Sequence, residues 1–395
     1  MRTVRAAASI GSALVILTIL PADEAKPAPR FSEHLIQGNY SYCYGIAVAD
    51  LDGDGDLDIT SADATGNALY WFENDGKGNF KRHVIAKEEG WFERHIIADI
   101  DGDGKPDVVV VKNLQQEIHW FRNSGTPRDG KPWQKFVLAK DFFRAYDVAA
   151  ADFDGDGQLG VAATAWVGNE IALFKPDGKP IDGKPWKKFV IDEKIGETRT
   201  VRVGDFNRDG KPDLLGTART GNLVAWYENP GKFGQPWKRH VIDAKSPSPT
   251  HGHPVDLDGD GDLDVVMALG FNGPDELGAV VWYENVGSPG DATTWKKHLI
   301  GRLPGAFEAF AADLDGDGKL DVVATAWSGP GGGRLVWFQN PSDPRKEWKM
   351  HVLKDNWPKA NQVIAADLNG DKRLDILAGA ERGSNELRWW RNEGR

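Results

Sequence analysis

The sequence predicts an all-β chain arranged as a seven-bladed β-propeller, and three observations predict it. An Asp-rich loop recurs seven times at nearly even spacing. The chain is rich in Gly (46), Trp (16) and Phe (17) and lacks long helical periodicity, which reads as all-β. The last repeat lacks its outer strand, and a segment that matches it stands near the start of the chain.

The loop reads Asp-x-Asp-Gly-Asp-Gly-x-x-Asp, with first aspartates at Asp50, Asp99, Asp152, Asp205, Asp256, Asp313 and Asp367. Successive loops are 49, 53, 53, 51, 57 and 54 residues apart. That period fits one propeller blade of four strands. In each repeat a short apolar strand precedes the loop (Gly45-Ile46-Ala47-Val48-Ala49) and another follows it (Val108-Val109-Val110-Val111). Continuous apolar runs of this length suit strands buried on both faces. A third strand ends in an aromatic pair and often Asn, as in Trp71-Phe72-Glu73-Asn74 and Trp226-Tyr227-Glu228-Asn229. A fourth alternates polar and apolar residues, as in Trp295-Lys296-Lys297-His298-Leu299-Ile300, the mark of a half-exposed outer strand. After Trp389-Trp390-Arg391-Asn392 no fourth strand follows, but Phe31-Ser32-Glu33-His34-Leu35-Ile36 repeats its pattern. A ring in which this early strand completes the last blade explains both facts. An open array would leave sheet edges in need of caps.

These repeats resemble FG-GAP (VCBS-type) repeats, the blade unit of the integrin α-subunit propeller and of many secreted bacterial proteins. The resemblance covers Phe31 to Arg395. It implies a repeat scaffold for binding; propellers of similar fold include sugar lyases, sugar dehydratases and lectins.

The loops have the chemistry of a hard-cation clamp. Carboxylate oxygens at positions 1, 3, 5 and 9, with a backbone carbonyl from position 7 and Gly at 6, would wrap Ca²⁺, which takes six to eight oxygens. Four loops are complete: Asp50/Asp52/Asp54/Asp58, Asp99/Asp101/Asp103/Asp107, Asp256/Asp258/Asp260/Asp264 and Asp313/Asp315/Asp317/Asp321. A fifth, Asp205/Asn207/Asp209/Asp213, exchanges one carboxylate for an amide oxygen and is expected to bind as well. Two depart from the pattern: Asp152/Asp154/Asp156 has Gly160 at position 9, and the Asp367 loop has Lys372 at position 6. These are expected to be weak or empty. Turn propensity alone would account for one such loop, but not for seven in register. The expected role of the several ions is structural.

The connections between one blade's outer strand and the next blade's inner strand converge on the propeller axis. They carry Tyr44; Trp91, Glu93, Arg94 and His95; Arg144 and Tyr146; Arg199; His251 and His253; Glu308; and Asn361. The other connections on this face add Asn113, Trp166, Arg219, Trp327, Glu381 and Arg382. Repeats agree elsewhere and diverge here, as a rigid scaffold with one specialised face would. Aromatic rings beside carboxylates and arginines suit a carbohydrate or another cell-surface component. Glu93, His251 and Glu308 could supply an acid and a base, so a polysaccharide lyase or sugar dehydratase is the alternative; a protein-docking platform is another. No nucleophile elbow, P-loop or HExxH motif is present. His83, His240, His298 and His351 recur at one outer-strand position and are expected to be structural.

The ends and the charge set the context. Arg2 and Arg5 followed by the apolar run Ala6 to Leu20 read as a cleaved export signal over residues 1–25, with residues 26–30 as a short linker and 31–395 as the propeller. A secreted or periplasmic protein without a membrane span is therefore expected. The single cysteine, Cys43, leaves no internal disulfide. A net charge of −11 with no basic stripe argues against nucleic-acid binding.

Overall fold

A computed structural model describes residues 27–291, 294–330 and 332–395. The expected export signal at residues 1–25 lies outside the described residues. Seven four-stranded antiparallel sheets follow one another. Blade 1 runs Cys43–Ala49, Asp58–Asp63, Ala68–Asn74 and Phe80–Lys87 from axis to rim. The inner strands of blades 2 to 6 begin at Phe92, Ala145, Thr198, Gly252 and Ala306. Blade 7 consists of Ala360–Ala366, Asp375–Ala380 and Glu386–Asn392, with Phe31–Gln37 as its outermost strand. That strand pairs antiparallel with Glu386–Asn392, Phe31 opposite Asn392 and His34 opposite Trp389. Inner strands of neighbouring blades touch around a complete circle, blade 7 against blade 1 included.

Second strands such as Asp107–Lys112 and Asp321–Ala326 are buried at every position, as their continuous apolar runs require. The third strand supplies the largest core residues: Trp71, Trp120, Trp226, Trp282 and Trp337 are all essentially inaccessible. Four of these pack against a histidine opposite them on the outer strand. Trp71 stacks on His83 at 4.4 Å, Trp226 on His240 at 4.2 Å, Trp282 on His298 at 4.7 Å and Trp337 on His351 at 4.4 Å. In blade 7 the same pair forms between Trp389 and His34 at 5.0 Å, across the junction of the two chain ends. The recurring histidines thus cover tryptophan faces, and three of them also reach a neighbouring glutamate: His83 to Glu73, His240 to Glu228 and His298 to Glu284, each at 2.7 Å. Cys43 is buried and free.

Position 9 of the Asp loop and the Asn of the third strand form a brace. Asp58 accepts the Leu51 N–H at 3.0 Å and the Asn74 N–H at 2.8 Å, so one carboxylate ties the loop to the third strand. The Asn74 side chain then donates to Leu57 O at 2.9 Å and to Leu368 O of blade 7 at 2.8 Å. Asn123, Asn229 and Asn392 reach the preceding blade in the same way, to Leu51, Phe153 and Leu314. Blade 3 lacks both halves: Gly160 replaces the aspartate and Pro176, without an N–H, replaces the asparagine.

Trp389 holds the blade that joins the two ends, stacking on His34 and meeting Phe80 edge-on at 6.1 Å. Replacing Trp389 by Ala should cost about 3–5 kcal/mol of unfolding free energy, as large-to-small core changes do. Urea unfolding measures this, and a loss below about 1 kcal/mol would show that the joint contributes little.

Candidate functional site

Two features lie on opposite faces: the seven Asp loops at one end of the propeller and an axial funnel at the other. The first aspartate of each loop organises the turn by accepting backbone N–H groups; Asp50, for example, accepts from Gly53 at 2.8 Å and Gly55 at 3.0 Å. Position 6 is left-handed throughout, including Lys372 with φ 68°, so the Asp367 loop keeps its shape despite the lost glycine. Ligand atoms lie within 4.8 Å of one another in Asp50/Asp52/Asp58, Asp99/Asp101/Asp107, Asp256/Asp258/Asp260 and Asp313/Asp315/Asp321. Such all-oxygen clusters fit a hard divalent cation.

Each of these clusters holds three carboxylates where the sequence pattern led us to expect four. In blades 1, 2 and 6 the one left out is position 5: Asp54, Asp103 and Asp317 do not join the other three. Their Oδ1 atoms turn back to accept the N–H of position 7, Asp54 from Asp56 at 3.1 Å, Asp103 from Lys105 at 3.1 Å and Asp317 from Lys319 at 2.8 Å. This backbone bonding is shared by Asp260, which accepts the Asp262 N–H at 2.8 Å and yet joins its cluster. Cations also reach two of these loops, where Arg128 bridges Asp52 and Asp54 and Arg122 bridges Asp101 and Asp103. Asp103 lies 2.7 Å from Arg122 and 3.3 Å from the Lys105 ammonium, and Asp54 lies 2.5 Å from Arg128. In blade 5 the residue left out is instead Asp264, whose two oxygens accept the Leu257 and Asn285 N–H groups of the brace. The Asp205/Asn207/Asp209/Asp213 loop forms no cluster of three carboxylates; Asn207 Oδ1 accepts the Asp209 N–H at 3.0 Å, and Asp213 serves the brace to Phe206 and Asn229.

Without a cation the clusters crowd like charges. Burial, with the carboxylates of the same loop adding to it, pushes Asp58 and Asp107 up to about 7 and Asp321 to about 8.

The Asp152 cluster is met by a lysine where arginines bridge the loops of blades 1 and 2. It also brings three carboxylates together, and the Lys175 ammonium sits between two of them, bonded to Asp154 and 2.7 Å from Asp156. Lys175 occupies the strand position held by Glu73 in blade 1 and Glu228 in blade 4. Lys175 thus comes from the third strand of its own blade, as Arg122 does in blade 2.

On the other face the connections form a funnel of about 380 Å³ lined by Tyr42, Tyr44, Trp91, Glu93, Arg144, Tyr146, Trp166, Arg199, Phe271, Trp327, Glu381 and Arg382, among others. The entrance residues share one backbone device. Trp91, Arg144, Glu197 and Lys359 each hold a left-handed φ of 42–65°, and their carbonyls accept the N–H of Asn113, Trp166, Arg219 and Glu381. The blade 6 equivalent is Gly305, where an added Cβ would lie 2.5 Å from Ser328 O. Four large side chains therefore stand at a position whose relaxed occupant is glycine, and such strain concentrates at functional sites.

Below the funnel the axis is plugged. Tyr44 Oη and Tyr146 Oη lie 2.6 Å apart, and Tyr146 Oη lies 3.1 Å from His251 Nε2. Thr200 donates its hydroxyl to Thr250 O, so its oxygen accepts from His251 Nδ1–H at 2.8 Å. This leaves Nε2 as the acceptor for Tyr146. Burial, and then Arg94 and Arg202, hold His251 well below the usual histidine range. Deeper still, Arg94 grips Glu308 at 2.6 Å with both groups inaccessible, while His253 and Arg202 stand 3.5 and 3.7 Å from the same carboxylate. Burial works to raise Glu308, but Arg94 and His253 together hold it at about 2. Beyond the plug, a second cavity of about 450 Å³ opens toward the Asp loops, with Val48, Ile97, Val148 and Phe310 on its walls.

The twelve axial residues singled out from sequence therefore divide. Tyr44, Trp91, Glu93, Arg144, Tyr146 and Arg199 face the funnel. Arg94, His95, His251, His253, Glu308 and Asn361 belong to the deeper layer, where Asn361 donates to Cys43 O at 3.0 Å. Of the three acid–base candidates, His251 and Glu308 are fully buried and only Glu93 reaches the funnel; burial raises it to about 8. Sequence reading passed over Phe271, which comes from the long blade 5 loop, and Lys359. Aligning Lys359-Ala360 with Arg144-Ala145 would have found the latter.

The FG-GAP-like repeat family model matches residues 50–110, 99–163, 205–267, 256–324 and 313–378, well over half the chain. This chain belongs to the FG-GAP-like repeat family. No match begins at Asp152, the loop without a ninth carboxylate. Among solved structures, the chain is similar in fold to virginiamycin B lyase from Staphylococcus aureus (TM-score 0.60, 12% identity, covering 91% of this chain and 98% of that one). It is also similar to BBS1N in complex with ARL6DN (0.58, 14%, 93% and 98%) and to the WD40 beta propeller domain of Doa1 (0.59, 12%, 91% and 97%). No curated protein matches the sequence. No helix among the described residues is long and apolar enough to cross a membrane.

The plug contains a titration that can be tested. His95 donates or accepts at Thr60 Oγ1 (2.8 Å), and burial lowers it from 6.5 to about 4. A histidine depressed in the folded state takes up a proton on unfolding, so its stabilising effect is full above pH 6.5 and is lost as pH falls toward 4. His95→Gln should therefore lose less stability than the parent between pH 7 and about 4.5, by up to about 1.4 kcal/mol per pH unit. Parallel urea-unfolding curves for the two proteins would show that His95 is not held neutral.

Proposed function

We propose that this FG-GAP-like protein is a secreted or periplasmic, calcium-stabilised propeller that binds carbohydrate or another cell-surface component in its axial funnel. The observation that carries the reading is the funnel's wall. Trp91, Trp166, Trp327 and Tyr42 line it, with Arg199 over the Trp166 ring, Lys359 over Trp327 and Arg382 over Tyr42, and the backbone holds several rim residues under strain. Ring faces stack on the apolar faces of sugars, while guanidinium and carboxyl groups bind hydroxyls. The N-terminal charge and apolar run support export. A glycan array followed by tryptophan fluorescence titration tests the reading. Binding should appear for at least one glycan class and weaken about tenfold or more in Trp166→Ala, in line with the loss of one aromatic platform. Silence across the array would leave a protein-docking platform, which the BBS1N complex illustrates for this architecture.

Catalysis is the second reading, favoured by the directional chain from Tyr44 through Tyr146 to a neutral His251 at the funnel floor. The likeness in fold to a lyase supports it only at the level of architecture. Any glycan found to bind is also the substrate to follow for unsaturated sugar products.

The carboxylate clusters are read as calcium clamps. Positions 1, 3 and 9 supply the converging donors in blades 1, 2 and 6, and positions 1, 3 and 5 in blade 5. Ions held only by the folded state stabilise it by mass action, about 2.7 kcal/mol per site at a hundredfold excess over Kd. Chelation should lower the melting temperature markedly, and calcium should restore it. Metal analysis should count no ion for blade 3, where Gly160 supplies no ninth carboxylate, and Lys175→Met should not lower the count. An unchanged melt after chelation would remove the cation from the account.

A further inference from the structure

The carbohydrate reading leaves the charge of the ligand open, and the funnel's own ion pairs bear on it. Five cations face or border the funnel: Arg144, Arg199, Arg219, Lys359 and Arg382. Three carboxyl groups stand among them. Glu197 is shared, bonded to Arg199 and lying 2.5 Å from Arg219. Glu381 accepts from Trp327 Nε1 and lies 3.6 Å from Arg382. Glu93 accepts from Asn113 Nδ2 at 3.1 Å and forms no ion pair within 4 Å among the described residues. Arg144 donates to Asn113 Oδ1 at 2.7 Å, and Lys359 lies 2.9 Å over the Trp327 ring; neither forms an ion pair within 4 Å among the described residues, and their charges are met only at longer range, Arg144 by Glu93 and Lys359 by Glu381. Both are the strained, left-handed residues at the entrance. The funnel therefore carries an excess of positive charge in a protein of net charge −11.

We infer that the funnel selects an anionic sugar, one bearing a carboxylate or a sulfate ester, with Arg144 and Lys359 as the residues that recognise the anion. The inference rests on the carbohydrate reading above and adds the charge of the ligand. A guanidinium offers a planar fork to a carboxylate or sulfate, and an ammonium a point charge; both act more strongly in a recess walled by aromatic rings than on open surface. Aromatic faces and unpaired cations side by side match a ligand that is a ring with a negative substituent. A neutral sugar would leave Arg144 and Lys359 without an ion pair at contact distance.

The test is a calorimetric titration of the full chain with three probes: a galacturonate trisaccharide, the neutral galactose trisaccharide and a galactose 6-sulfate oligosaccharide. At least one charged probe should bind about tenfold or more tightly than the neutral one, and added salt should narrow the gap. Carboxylate and sulfate preference tell the two sources of charge apart, and either supports the inference. Arg144→Gln and Lys359→Gln should each remove most of the preference while leaving the melting temperature unchanged. Equal binding of neutral and charged probes overturns the inference and leaves the carbohydrate reading standing. Failure of all three probes overturns the inference, and the glycan array then decides the carbohydrate reading separately.

Discussion

The buried carboxylate at position 9 of the loop is the constraint on which the rest of the molecule depends. It accepts one N–H from its own loop and one from the third strand, so the turn that carries the aspartates cannot move independently of the sheet. The third-strand asparagine extends the same brace to the neighbouring blade through a carbonyl. A buried carboxylate left without partners would be costly, and here two backbone donors satisfy it. Blade 3 shows that the brace is one unit. Gly160 removes the acceptor, Pro176 removes the donor, and the sheet persists on its apolar strands alone. Losing one half alone would have left a buried polar group unpaired, the more expensive outcome.

Lys175 fits the same logic. A loop that keeps three close carboxylates but has lost the fourth is a poorer cage for a divalent ion. An ammonium on the adjacent strand neutralises part of the charge without depending on solution conditions. The sequence showed the missing ninth aspartate but not this replacement, because the contact joins residues 21 positions apart and needs the strand register to be seen. The bridge between Asp101 and Asp103 was hidden for the same reason: Arg122, which forms it, comes from the third strand and not from the loop.

What could be read in advance follows from periodicity. Repeat number, strand order, the aromatic third strand and the shared histidine position all recur with a nearly constant offset from an aspartate. Comparing copies was therefore enough to read His240 as structural rather than as part of a site, while the tryptophan it covers is seen only in the structure. The axis has no such internal standard. Glu93, Arg94 and His95 are consecutive, yet Glu93 faces the funnel while Arg94 and His95 are swallowed by the plug. Strand alternation tells that neighbours point apart but not how far down the axis each one sits. The inner strands are also irregular there, with register shifts between Phe92 and His95 and between Ala145 and Asp147, which defeats simple counting.

The plug also determines how the two faces relate. Arg94, Glu308, Asp147 and Arg202 fill the axis with paired charges, so a layer of ion pairs separates the funnel from the cavity on the loop side. Breaking a buried pair of this kind by removing one partner costs several kcal/mol, about 3–5, because the remaining charge stays desolvated. The layer is thus a rigid floor on which Tyr44 and Tyr146 rest. A ligand in the funnel and a cation at a loop would sense each other only through the stability of the strands they share, since an inner strand carries a rim residue at one end and an aspartate at the other. Cation binding on one face would then hold the geometry of the other without any moving part, which is what a strained ring of Trp91, Arg144, Glu197 and Lys359 requires of its support.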